Sequence, residues 1–185
     1  MVSPFTMRYK MVQLIRQEIQ AAKNGLKAAI LIKCNNLVDP EIIARLYDAA
    51  KAGVEVRLNV RGMFSLISRP EDENYSISSI GIIDRYLEHS RIYYFFNGGK
   101  ENIYISSADL MSRNLDRRVE VTVPIYDIDM KKELKGFLEL QWNDNTSARI
   151  LDNKLSNKIN NHGQLPPITS QVAFYDFLRS VRNEE

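Results

Sequence analysis

Apolar positions recur at three- and four-residue steps through Met7, Met11, Leu14, Ile15, Ile19 and Ala22. That is the period of one helical face, and Asn24-Gly25 supplies its stop. The pattern then changes to the run AAILIK at residues 28–33, a strand that closes on the polar stretch Cys34-Asn35-Asn36. Asp39-Pro40 caps a second helix, with Ile42, Ile43, Leu46 and Ala50 inward and Gly53 as its stop. Alternation over residues 54–60 predicts another strand, which ends in Arg61-Gly62. Strand, helix, strand in that order predicts a right-handed parallel crossover.

Residues 63–76 read as a loop, with Pro70 and the acidic Glu71, Asp72 and Glu73. Strands are predicted over residues 77–82, 91–96, 103–107 and 118–125, and Asn97-Gly98-Gly99 reads as a hairpin turn. A third helix covers residues 129–142 with Leu134, Phe137, Leu138 and Leu140. Residues 153–167 form a polar surface loop, and a closing helix carries Phe174, Phe177, Leu178 and Val181 on one face. The fold class is therefore α/β, a mixed β-sheet flanked by helices, expected as a single domain over residues 1–185.

Composition adds constraints. At 185 residues the chain can bury a stable core, and 44% hydrophobic with 26% charged residues excludes a disordered or fibrous class. Net charge is only +2, so any attraction for anions must come from local clustering. Cys34 is the lone cysteine and is expected to be a buried thiol in a reducing compartment. No apolar run approaches the length of a membrane span, and the first residues lack a signal-peptide core. A cytoplasmic location follows as the expectation.

In an open α/β sheet, ligands bind beyond the carboxyl ends of the parallel strands. Lys33 and Asn35 close the first strand and Arg61 the second, with Gly62 letting the backbone turn or approach a ligand closely. An arginine there offers phosphate a permanent charge and a planar fork, and is equally open to simple surface ion pairing. Residues 86–96, YLEHSRIYYFF, place His89 and Arg91 two apart at the start of an aromatic strand. Ser106-Ser107-Ala108-Asp109 ends the next strand, and Arg113, Asn114, Arg117 and Arg118 follow. A histidine beside cations suits phosphoryl transfer. The plainer readings are a structural His89 bonded to a neighbour such as Glu88, and Arg117 or Arg118 paired with Asp116 or Glu120. Tyr93 and Tyr94 read as one inward and one outward strand residue, Trp142 as core, and His162 as solvated.

His89-Ser90-Arg91 resembles the HxK half-motif of phospholipase D-like phosphotransferases, with arginine for lysine and Phe96 at the aspartate position. Over almost its whole length, however, the chain resembles the final domain of the polyphosphate kinases. The blocks are Ser3-Pro4-Phe5, residues 35–39, 46–50 with Gly53-Val54, 60–63, 84–93, 97–99, 106–114 and 118–121. The resemblance implies a phospholipase D-like half of a catalytic core that transfers the terminal phosphate of ATP reversibly to polyphosphate. It implies that Arg61 binds phosphate, and that His89 binds phosphate and protonates the leaving group or steadies a phosphohistidine. Lys33, Asn35, Arg91, Asp109, Arg113 and Asn114 rank second, and Arg113, Arg117 and Arg118 suit a polyanion.

By the same resemblance the phosphorylated histidine and most contacts to Mg2+ lie in a preceding domain. No metal is expected on this chain. The implied partners are ATP/ADP, inorganic polyphosphate and that preceding domain, in a homo-oligomer when full length and without nucleic acid. Two alternatives stand beside this reading. One is a phospholipase D-like nuclease or phosphodiesterase that completes its site by homodimerisation. The other is a polyanion-binding module without catalysis.

Overall fold

The computed structural model describes residues 1–68, 75, 77–161 and 166–183. Pro70, the acidic residues 71–73 and His162 lie outside the described residues. Helix α1 (Met7–Lys23) packs its predicted apolar stripe inward, and α2 (Pro40–Lys51) starts where Asp39 accepts the Ile42 amide at 3.1 Å. Strand β2 (Ala29–Cys34) is buried at all six positions, which is why it reads as an unbroken apolar run rather than an alternating one.

Strands β2, β3 (Glu55–Val60) and β4 (Ser78–Ile82) are parallel. The other side of β2 takes β5 (Ile92–Phe95) antiparallel. Strand β5 pairs with β6 (Asn102–Ser106), and β6 with β7 (Glu120–Ile125), both antiparallel. Two short edge strands, β1 (Val2–Ser3) on β7 and β8 (Ala148–Ile150) on β4, complete the order β1-β7-β6-β5-β2-β3-β4-β8. At the β5–β6 turn Asn97, Gly98 and Gly99 all have positive φ (45°, 62° and 89°), where glycine is least strained. The mixed sheet is as expected. The two- and three-residue edge strands and the five-residue α3 (Ser112–Asp116) were not, because such lengths show no period.

Both sheet faces are covered. Helices α1 and α2 enclose Ile30, Ile32, Leu58, Tyr93 and Phe95, and α4 (Ile128–Trp142) covers Leu31, Tyr94 and Ile103. Tyr93 and Tyr94 thus face opposite sides, and both are buried. Helix α5 (Ser170–Asn183) lies on α4, with the Phe137 and Phe174 rings 4.5 Å apart. Trp142 joins a small core with Ile80, Ile82 and Ala148. Cys34 is buried, and its desolvation pushes the thiol pKa up. Among the described residues no helix is long and apolar enough to cross a membrane.

The strand directions decide where chemistry collects. The carboxyl ends of β2, β3, β4 and β6 share one sheet edge with the amino ends of β5 and β7. Lys33, Arg61, His89, Arg91 and Asp109 are therefore gathered along that edge from four separate stretches of chain.

Candidate functional site

Asp109 organises this edge. Its buried carboxylate accepts the Asn35 backbone amide at 2.8 Å, the Asn36 side-chain amide at 2.8 Å and two Arg91 nitrogens at 3.1 and 3.3 Å. Burial alone would raise its pKa, but these donors outweigh it and hold the carboxyl below the usual range. The two wings of the site hang from this group. On one side Arg91 donates to the His89 carbonyl at 3.1 Å. On the other, the fixed Asn35 turns its side-chain oxygen to the Arg61 Nε.

Arg61 is thus oriented by an amide and makes no ion pair with a carboxylate among the described residues. Its charge stays available to an anion. Gly62 follows because the backbone is close: an added Cβ would lie 2.7 Å from both the Asn35 carbonyl and the Asn36 side-chain oxygen. Lys33, 2% exposed, bonds the Ser90 carbonyl at 3.3 Å and pairs with Glu88 at 3.2 Å. Burial lowers its pKa, Glu88 opposes that shift, and the nearby positive Arg61 adds to it.

His89 is exposed, and its ring makes no hydrogen bond among the described residues. The structural role considered for it is not seen: Glu88 bonds Lys33, Gln141 and Gln171 and not the His89 ring. Arg61 and His89 share the edge but line adjacent grooves that meet at Glu88. One, of about 220 Å³, runs from Arg61 past Asp84 and Arg85 to Glu88. The other, of about 360 Å³, runs from Glu88 and His89 toward Phe137 and Phe174.

The family model described as polyphosphate kinase C-terminal domain 2 matches residues 1–171. The chain belongs to the polyphosphate kinase family. A polyphosphate kinase of Yersinia pestis is 44% identical over the whole chain, which spans 27% of that protein. The crystal structure of polyphosphate kinase from Porphyromonas gingivalis superposes with a TM-score of 0.96 at 37% identity, over 100% of this chain and 28% of that one. The chain thus spans about a quarter of the length of the relatives it matches. Nuc from Salmonella typhimurium, a phospholipase D family member, matches with a TM-score of 0.58 at 15% identity, over 82% of this chain and 95% of that one. This last likeness shows the shared fold alone.

Within the polyphosphate kinase fold the remaining candidates divide. Arg113 and Asn114 do not lie at a strand end, as their spacing implied, but on α3. Asn114 is buried, donating to Glu120 at 2.7 Å while its carbonyl accepts Ser3 Oγ at 2.5 Å, so it braces β1 and β7. Arg113, Arg117 and Arg118 are exposed. The pairings considered for Arg117 and Arg118 do not form: Asp116 binds Arg8 at 2.6 Å, and Glu120 is held by Ser107 and Asn114. Arg118 precedes β7 and Arg61 follows β3, four strand spacings apart, so cations punctuate the edge over roughly 19 Å.

Three features escaped the sequence. Arg149, on the three-residue β8, lines with Arg61 a groove of about 420 Å³. Gln141 and Gln171 reach Glu88 from α4 and α5. Only the apolar spacing of those helices was legible, and it carries no information about a polar residue's partner.

Proposed function

We propose that this chain forms one wall of an ATP and polyphosphate site in a longer polyphosphate kinase, which transfers the terminal phosphate of ATP reversibly to polyphosphate. The supporting observation is Arg61, a guanidinium fixed by a neutral amide at an open sheet edge that also carries the unbonded His89 ring. A positioned cation of this kind stabilises charge developing on equatorial phosphate oxygens. His89 supplies an imidazole on the same edge, in the adjoining groove, to bind phosphate and to protonate the leaving oxygen or steady a phosphohistidine formed on the preceding domain. Arg113, Arg117 and Arg118 extend the positive edge along which a polyanion can lie.

Among the described residues no three carboxylate, imidazole or thiol groups gather as a metal site. The reading leaves Mg2+ to the preceding domain, where it would neutralise nucleotide phosphate charge. That domain, ATP/ADP and polyphosphate are the proposed partners, in a cytoplasmic homo-oligomer without nucleic acid. The experiment is Arg61→Ala and His89→Ala, separately, in the full-length enzyme. Each should abolish polyphosphate synthesis while the circular dichroism spectrum and melting temperature stay unchanged. Near-normal synthesis would remove that residue from the site.

A further inference from the structure

The segment between β4 and β5 that carries His89 has little structure of its own. Residues 84–90 belong to no helix or strand, and make no backbone-to-backbone hydrogen bond among the described residues. Such a segment would be free to sample many conformations unless side chains from elsewhere hold it. They do so at four points, Tyr86, Glu88, His89 and Ser90. Lys33 and Arg91 grip the carbonyls of Ser90 and His89, on the strand side. On the far side Gln141 of α4 holds Glu88, and the remaining grip, on Tyr86, comes from one residue of the closing helix.

Gln171, in the first turn of α5, brackets Tyr86 with both ends of its amide. The Tyr86 N–H donates to Gln171 Oε1 at 3.0 Å, and Gln171 Nε2 donates to the Tyr86 carbonyl at 2.9 Å. The same Nε2 reaches Glu88 at 2.9 Å. This copies the paired donor and acceptor of a β-ladder, with a side chain in place of a strand. Glu88 is itself fixed by Gln141 Nε2 at 2.6 Å, and Gln141 by Asn59 at 3.0 Å, so the bracket is anchored on α4 and β3. Helix α5 is set against α4 by Phe174 and Phe177, the latter over Gly136 where a Cβ would lie 2.9 Å from the ring.

We infer that Gln171 is a positioning residue for His89, clasping the 84–90 segment to the closing helix so that the imidazole is presented at the sheet edge. The inference rests on the proposed role of His89. It gives α5 a place in the site although none of its side chains is assigned to the nucleotide.

The test uses the full-length enzyme and two substitutions. Gln171→Met keeps length and volume but removes all three bonds. Gln171→Glu keeps the acceptor for Tyr86 and sets a second carboxylate against Glu88. Both should lower kcat roughly tenfold or more, the worth of one net hydrogen bond or slightly over. Hydrogen exchange should rise in peptides covering 84–90, while exchange in β2 and β5 and the melting temperature hold. Unchanged kcat in both variants overturns the inference, and so does faster exchange without loss of kcat. If Gln171→Met melts early, the Gln171→Glu result at its own melting temperature decides by the same criteria. His89→Ala, measured alongside, separates the two ideas. If it retains activity, the reading of His89 fails whatever Gln171 does; if it is inactive while both Gln171 variants are normal, the clasp alone fails.

Discussion

Asp109 shows how one buried group can order several exposed ones. A lone carboxylate in that position would be expelled or protonated, because burial penalises charge. Four donor contacts keep it ionised, and each donor is thereby fixed in turn: Arg91 toward the His89 carbonyl and Asn35 toward Arg61. Arg91 was legible as the third residue of an HxK-like motif, yet its position in sequence does not reveal that it binds Asp109, 18 positions away. Asp109→Asn should destabilise the chain by roughly 3 kcal/mol at neutral pH, since Arg91 keeps its charge and loses its counter-charge. The sign of the pH dependence follows from the depressed pKa. The contribution is present above the unfolded value of about 3.9 and is lost as pH falls through the lower folded value. Denaturant unfolding should thus separate the two proteins at pH 7 and bring them together toward pH 3. Equal stability at pH 7 would contradict the hub.

At the scale of elements, the strands that build the site were legible because β2, β3 and β5 keep apolar or alternating runs up to the polar residues that end them. Lys33, Arg61 and Asp109 were found as residues at strand ends, and the antiparallel return of β5 places His89 among them. The holding contacts were not legible. Gln141 and Gln171 lie 53 and 83 positions from Glu88, and a glutamine on an amphipathic helix looks like any solvated residue. Strand β8, with Arg149, was too short to show alternation. The β3–β2 end contact offers its own test. Gly62 donates to the Asn35 carbonyl at 2.8 Å, and the Met63 amide donates to Asn36 Oδ1 at 2.9 Å. Gly62→Ala places a methyl group against both acceptors and should cost roughly 1–3 kcal/mol. It should also displace Asn35 and with it Arg61, weakening ATP binding in the full-length enzyme. Isothermal titration and thermal melts check this, and an Ala variant matching the parent in both would contradict the close approach.

For the whole molecule, the sequence foretold a mixed sheet flanked by helices, and the polyphosphate kinase family was legible from ordered blocks spread along the chain. What no local pattern conveyed is that α5 reaches back across the molecule to the segment between β4 and β5. The chain spans about a quarter of its relatives' length, and it holds one candidate histidine on the described edge. The 185-residue protein by itself is therefore expected to show no sustained ATP-dependent polyphosphate synthesis, measured by ATP consumption against polyphosphate formed. Continued turnover by it would place the whole reaction on this chain.

The central claim is that Arg61 and His89, 28 positions apart, serve the same phosphate. A crystal structure of the full-length enzyme with a non-hydrolysable ATP analogue tests it most directly. The Arg61 guanidinium and the His89 ring should both lie within hydrogen-bond distance of the analogue's phosphate oxygens. An analogue bound with either side chain turned into its own separate groove would contradict it.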